Sequence, residues 1–140
     1  DLNVSSVITT FQLATRFWLE SKQSGKLIVT SSVAGLIGIP FASGYSMTKA
    51  AVQGLVRSLA IEYGRAGIQV NAILPGFIET EMSLDTPQHF QDAAKRRAAS
   101  GDIGKLEDME GIAVYLASNE SKFMTGQCLV IDGGHTIFPM

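Results

Sequence analysis

The chain has 140 residues, 46% of them hydrophobic, and a formal net charge of -2. That suffices for one domain with a core, and it carries neither a basic block suited to nucleic acid nor an acidic solvating tail. The longest apolar stretch, residues 27–41, is interrupted by Thr30, Ser31, Ser32 and several glycines, so it is too short and too polar for a membrane span, and no signal peptide is visible.

In chain order, residues 3–22 place Val4, Val7, Ile8, Phe11, Ala14 and Trp18 mostly three and four apart, which predicts a helix with a broad apolar face. Ser24 and Gly25 end it. Residues 26–32 (KLIVTSS) are β-branched and apolar without alternation, the pattern of a parallel strand buried on both faces and central in its sheet. Residues 33–44, with several glycines and Pro40, predict a loop, in which Gly35, Gly38 and Gly44 read as loop-conformation residues. A second helix runs over 45–63 and is stopped by Gly64 and Gly67. Residues 68–74 (IQVNAIL) form a second strand, broken by Pro75 and Gly76, with Asn71 serving a buried backbone hydrogen bond. Residues 79–104 are polar and weakly periodic, a surface lid with one short helix over 88–99. A helix over 106–118, with Glu107 and Asp108 in its first turn, leads to a third strand over 127–132. Its lone cysteine, Cys128, excludes an internal disulfide framework, reads as a buried structural thiol and fits a cytoplasmic, reducing setting. Strands alternating with helices predict an α/β chain with a parallel sheet. The first residue is Asp1 and the apolar pattern begins at once, so the chain reads as the C-terminal part of a longer one.

The chemistry concentrates around Tyr45 and Lys49, four residues apart and therefore on one helix face. A cation beside a phenol favours phenolate, and a phenol so tuned can exchange a proton with an alcohol or carbonyl oxygen. Ser32, thirteen residues before Tyr45, ends the first strand and can hydrogen-bond the same oxygen. In open parallel sheets ligands bind beyond the carboxyl ends of the strands, where Ser32, Pro75 and Gly76 all fall. Ser31 is the neighbouring hydroxyl, but the spacing favours Ser32. Phe41 and Met82 are candidates to line a substrate pocket. His89 and His135 have no partners at ligand spacing, so no metal is assigned.

These pieces resemble the C-terminal, catalytic half of the short-chain dehydrogenase/reductase family. Ser32, Tyr45 and Lys49 match its Ser…Tyr-x-x-x-Lys set, and Asn3 in LNVSSV matches its asparagine on the preceding helix. Pro75, Gly76, Ile78 and Thr80 match its Pro-Gly-x-Ile/Val-x-Thr segment, and residues 115–134 resemble its usual ending. The resemblance implies the C-terminal half of a Rossmann-like, doubly wound parallel sheet, with three strands and flanking helices forming part of a single domain. It implies an NAD- or NADP-dependent oxidoreductase that interconverts a secondary alcohol and a ketone. Tyr45 would be the general acid/base, Ser32 would orient the substrate oxygen, and Lys49 would favour the ionised Tyr45 and hold the nicotinamide ribose. Asn3 would hold a water that relays protons from Lys49. The backbone of Ile78 and the hydroxyl of Thr80 would hold the nicotinamide carboxamide, although Thr80 also suits a helix cap. The family's Thr-Gly-x-x-x-Gly-x-Gly turn and its Asn-Asn-Ala-Gly run are not in this chain. The nucleotide-binding half is therefore expected elsewhere, on a preceding segment or a companion chain, and residues 1–140 alone are expected to be inactive. The substrate is expected to be small and polar, such as a polyol or sugar derivative, with a 3-oxoacyl thioester as the close alternative. A homodimer or homotetramer is expected, because the helix over 45–63 is apolar on several sides. The competing reading is a non-catalytic binding or scaffold protein that keeps the fold.

Overall fold

The computed structural model describes residues 2–137, with Met82 lacking a described side chain. Its elements are α1 (Ser5–Ser21), β1 (Gly25–Thr30), α2 (Ser43–Tyr63), β2 (Ile68–Pro75), α3 (Glu81–Leu84), α4 (Gln88–Arg97), α5 (Glu110–Ala117) and β3 (Cys128–Ile131). The three strands form one parallel sheet in the order β1-β2-β3. Thr30 pairs with Ile73, and Pro75 with Ile131, so the carboxyl ends of the strands share one edge. This is a Rossmann-like α/β architecture with flanking helices.

The period of two along β2 sorts its residues between two layers. Ile68, Val70, Ala72 and Leu74 enter one core with Leu27 and Val29 of β1, Phe11 of α1, and Val52, Val56 and Ala60 of α2. Gln69 and Asn71 belong to the opposite face. Asn71 Nδ2 donates to Met124 O (2.9 Å) and Asn71 Oδ1 accepts from Gln127 N (3.0 Å), so one buried amide aligns the loop that feeds β3. Gln69 does the same for Ser121 O (2.6 Å) and Met124 O (2.8 Å). Leu116 of α5 is 1% exposed and closes the second layer.

Several elements differ from the sequence reading. Among the described residues β1 pairs with β2 alone and β2 pairs with both β1 and β3. Burial along β1 alternates rather than being continuous, with Leu27 and Val29 buried, Lys26 and Ile28 half-buried and Thr30 exposed. Lys26 is held on the polar side by Gln69 Oε1 (2.6 Å) and Ser121 Oγ (2.9 Å). β1 also stops at Thr30, so Ser32 caps a following 3-10 turn, Val33–Gly35, instead of ending the strand. The helix expected over 106–118 divides into a 3-10 turn, Leu106–Met109, and α5. Gly35, Gly38 and Gly44 do not adopt left-handed backbone; in that loop the residue that does is Phe41, with φ 62°. Its turn is closed by Ala42 N donating to Ile39 O (3.2 Å), with Pro40 in the position it favours. Cys128 is half-buried rather than buried; burial pushes its thiol pKa up, opposed by the nearby Arg57, whose Nη1 lies 3.9 Å from Sγ.

Candidate active site

The site is built on the segment where β1 passes into α2. Ser31, 3% exposed, donates its backbone N–H to Ile73 O (2.8 Å), extending the sheet by one bond past Thr30. Ser32 then turns, with φ -169° and ψ 155°, and its Oγ accepts from Ala34 N (3.1 Å). The loop reaches α2 closely because Gly35 has no side chain: a Cβ there would stand 2.3 Å from Gln53 Nε2 and 2.8 Å from Ala50 N.

α2 begins at Ser43, so Tyr45 lies in its first turn and Lys49 one turn further on. Lys49 Nζ lies 5.5 Å from the centre of the Tyr45 ring and donates to Thr30 O (3.2 Å), the last carbonyl of β1. The ammonium is thus fixed at the sheet's carboxyl edge beside the phenol. Partial burial lowers the Lys49 pKa from the usual lysine value. With one of its three N–H donors used on Thr30, the others remain for a bound hydroxyl. Tyr45 itself is 44% exposed.

Asn3 sits in the turn before α1, not on a helix. Its Nδ2 donates to Thr48 Oγ1 at 3.4 Å, and Thr48 donates in turn to Tyr45 O (2.8 Å), so Asn3 meets the turn that carries Tyr45 and Lys49 through Thr48. Pro75 closes β2 at the same edge. Gly76 N donates to Ile131 O (2.9 Å), and a Cβ on Gly76 would come within 2.8 Å of Asp132 Cα, so only glycine lets the chain leave the sheet here. Ile78 forms an isolated parallel bridge with Gly104, made by Gly104 N to Phe77 O (3.0 Å) and Glu79 N to Gly104 O (2.8 Å). That pairing uses the peptide groups either side of Ile78, leaving its own N–H and C=O directed away from Gly104. Thr80 caps α3: its Oγ1 accepts from Ser83 N (3.2 Å), and Ser83 Oγ accepts from Thr80 N (2.7 Å). The cap expected of Thr80 is present, and it occupies the hydroxyl's acceptor side.

One buried residue escaped the sequence reading, and it bonds to Ser31. Gln53, 2% exposed, donates through Nε2 to Ser32 O (3.1 Å) and to Ser31 Oγ (3.4 Å). Ser31 Oγ donates to Lys49 O (3.0 Å). The signal available was Gln53's place four residues after Lys49 on the same helix face, but a glutamine amid an apolar run reads as surface until the loop is folded against it. Phe41 is fully exposed, and the side chain of Met82 lies outside the described residues. Among the described residues no cluster of His, Cys, Asp and Glu is placed to hold a metal, and no helix is long and apolar enough to cross a membrane.

A phenol, an ammonium and a hydroxyl at the carboxyl edge of a parallel α/β sheet define the class: Rossmann-like chains with a Tyr-x-x-x-Lys site. A family model described as enoyl-(acyl carrier protein) reductase matches residues 1–136. The chain is 35% identical over 137 residues to 3-oxoacyl-(acyl-carrier-protein) reductase FabG of Thermotoga maritima, covering 98% of this chain and 55% of that protein. Among solved structures, a 4-hydroxyisoleucine dehydrogenase complexed with NADH superposes with a TM-score of 0.91 at 32% identity, over 99% of this chain and 58% of that one. A gluconate 5-dehydrogenase from Burkholderia cenocepacia in complex with NADP and tartrate gives 0.92 at 33% identity, over 98% and 54%. The chain belongs to the short-chain dehydrogenase/reductase family. It spans about half the length of the curated relatives it matches.

Proposed function

We propose that this chain is the catalytic half of an NAD- or NADP-dependent oxidoreductase that interconverts a secondary alcohol and a ketone. The observation that carries the reading is the Lys49 ammonium, anchored on Thr30 O and set against the Tyr45 ring at the sheet's carboxyl edge. The donors fit a nicotinamide nucleotide. Lys49 has N–H groups to spare for ribose hydroxyls, and the backbone of Ile78 is directed away from its bridge. Thr80 can contribute its hydroxyl proton, which now points to Ser83 Oγ over a long 3.3 Å contact. Pro75 and Gly76 form the wall from which this segment leaves the sheet. When bound, the nucleotide supplies the hydride exchange.

In this mechanism Tyr45 takes the proton from the alcohol during oxidation and returns it to the carbonyl oxygen during reduction. Ser32 holds the same oxygen. Lys49 stabilises the negative charge on Tyr45, and Asn3 and Thr48 hold the turn at which protons enter from solvent. The nucleotide-binding half is supplied by a preceding segment or a companion chain, and residues 1–140 alone bind neither nucleotide detectably. The active protein is a homodimer or homotetramer packed through α1 and α2, whose outer faces leave Leu13, Phe17 and Ile61 exposed. Its setting is the reducing cytoplasm.

The test uses the full-length protein that contains this chain. Polyols, sugar acids and 3-oxoacyl thioesters are screened with each nucleotide while reduced nicotinamide is followed optically. At least one secondary alcohol or ketone is expected to turn over, and Tyr45→Phe is expected to abolish that turnover with the fold intact. A Tyr45→Phe enzyme running near the wild-type rate overturns the mechanism.

A further inference from the structure

We infer that Gln53 is a positioning residue, whose carboxamide fixes Ser32 relative to Tyr45 and Lys49; the inference rests on the function proposed above. Tyr45, Lys49 and Gln53 follow one another at four-residue steps and so form a single stripe along α2. The first two project from the site, while the third is buried behind it.

The hydrogen bonds give this stripe a consequence. Gln53 Nε2 donates to Ser32 O (3.1 Å) and to Ser31 Oγ (3.4 Å), and Ser31 Oγ donates to Lys49 O (3.0 Å). Ser31 N is bonded to Ile73 O (2.8 Å) of the sheet. Two residues of β1's exit are therefore tied to the Lys49 turn of α2 and to β2. Ser32 reaches the site from a loop, and a loop residue is free to drift unless its backbone is pinned. The pin is a side chain with two N–H donors, which no apolar residue of similar size supplies. Gly35 fits the same account: any side chain there would displace the Gln53 amide. Gln53 touches none of the reacting groups, so its effect passes through Ser32.

The prediction is a loss in kcat of about 10- to 100-fold for Gln53→Met, which keeps the length and removes the donors, the size expected when a reacting group moves by about an ångström. KM for the nucleotide should change less than kcat, because the Lys49 ammonium keeps its bond to Thr30 O and the Ile78 segment makes no bond to Gln53. The deciding measurement is a double-mutant cycle with Ser32→Ala in the full-length enzyme, with folding checked by circular dichroism. If Gln53 acts through Ser32, the double variant is no slower than Ser32→Ala alone. If the two losses multiply, Gln53 is only a packing residue and the inference is wrong. Should Gln53→Met not fold, Ser31→Ala is carried through the same cycle, with a smaller loss expected and the same non-additivity required. Failure of the underlying reading looks different: Tyr45→Phe and Ser32→Ala would then both leave the rate unchanged.

Discussion

The β1–α2 unit and the excursion between β2 and α5 meet at the same sheet edge but are held by different forces. In the first, Val29, Val33, Val52 and Val56 lie in the core, and Ser31, Gln53 and Lys49 are cross-bonded to it. In the second, residues 76–104, the buried apolar side chains among those described are Ala94 and Ala98, and order comes from backbone bonds, a helix cap and the Lys95–Asp102 ion pair (3.2 Å) between exposed groups. Groups that move protons need fixed positions. Groups that admit and release a ligand belong to segments that open at low cost. On the proposed function, the division of labour along the edge follows from where the apolar residues are.

The largest expected effect breaks the rigid side. Tyr45→Phe should lower kcat by at least about 10²- to 10⁴-fold, the range for general acid–base groups, with an unchanged circular dichroism spectrum. Lys49→Met should be nearly as damaging and should also weaken nucleotide affinity, as titration calorimetry can measure; unchanged affinity would separate Lys49 from nucleotide binding.

A second experiment compares cores. Leu74→Ala, at a fully buried site in β2, should cost about 2–5 kcal/mol in denaturant unfolding of the full-length protein. Leu84→Ala in α3, 55% exposed, should cost far less. Equal losses would mean that the excursion shares the main core.

Smaller again is the effect at Thr80. Thr80→Ala removes the α3 cap, worth about 1 kcal/mol locally. It should speed amide hydrogen exchange over residues 81–84 without touching the exchange of α2. In the unliganded protein, amides of residues 81–103 should exchange faster than those of 45–63 even before mutation, and equal protection would count against a lid.

The smallest expected effect concerns Asp132, where the C-terminal segment meets the excursion. Burial opposes ionisation of this carboxyl, but Thr136 N (2.7 Å) and Gly134 N (2.9 Å) donate to it and outweigh burial, holding its pKa below the usual carboxylate range. A carboxyl depressed by folding contributes stability that is complete above the unfolded value of about 3.9 and is lost as pH falls through the folded one. Asp132→Asn should therefore lower stability slightly at neutral pH, leave it nearly unchanged at pH below the folded value, and so flatten the acid limb of the profile. Thermal melts across acidic pH test this.

Much of this protein was legible in its residues. The β-branched runs gave the strands, the Tyr45–Lys49 spacing put ammonium and phenol on one helix face, and Pro75-Gly76 marked the exit from β2, because each of these depends on local sterics and periodicity alone. The cap at Thr80 was visible for the same reason, whereas the partners of the buried hydrogen bond expected of Asn71, Met124 O and Gln127 N, came only with the fold. What only the tertiary structure decided involves residues distant in sequence. Gln53 became a buried donor because Gly35 let a loop close against it, and Gly76 is required because Asp132, far along the chain, passes behind it. Hydrogen bonds across such separations are chosen when the chain packs, since a buried amide must take whatever partner the fold brings within reach.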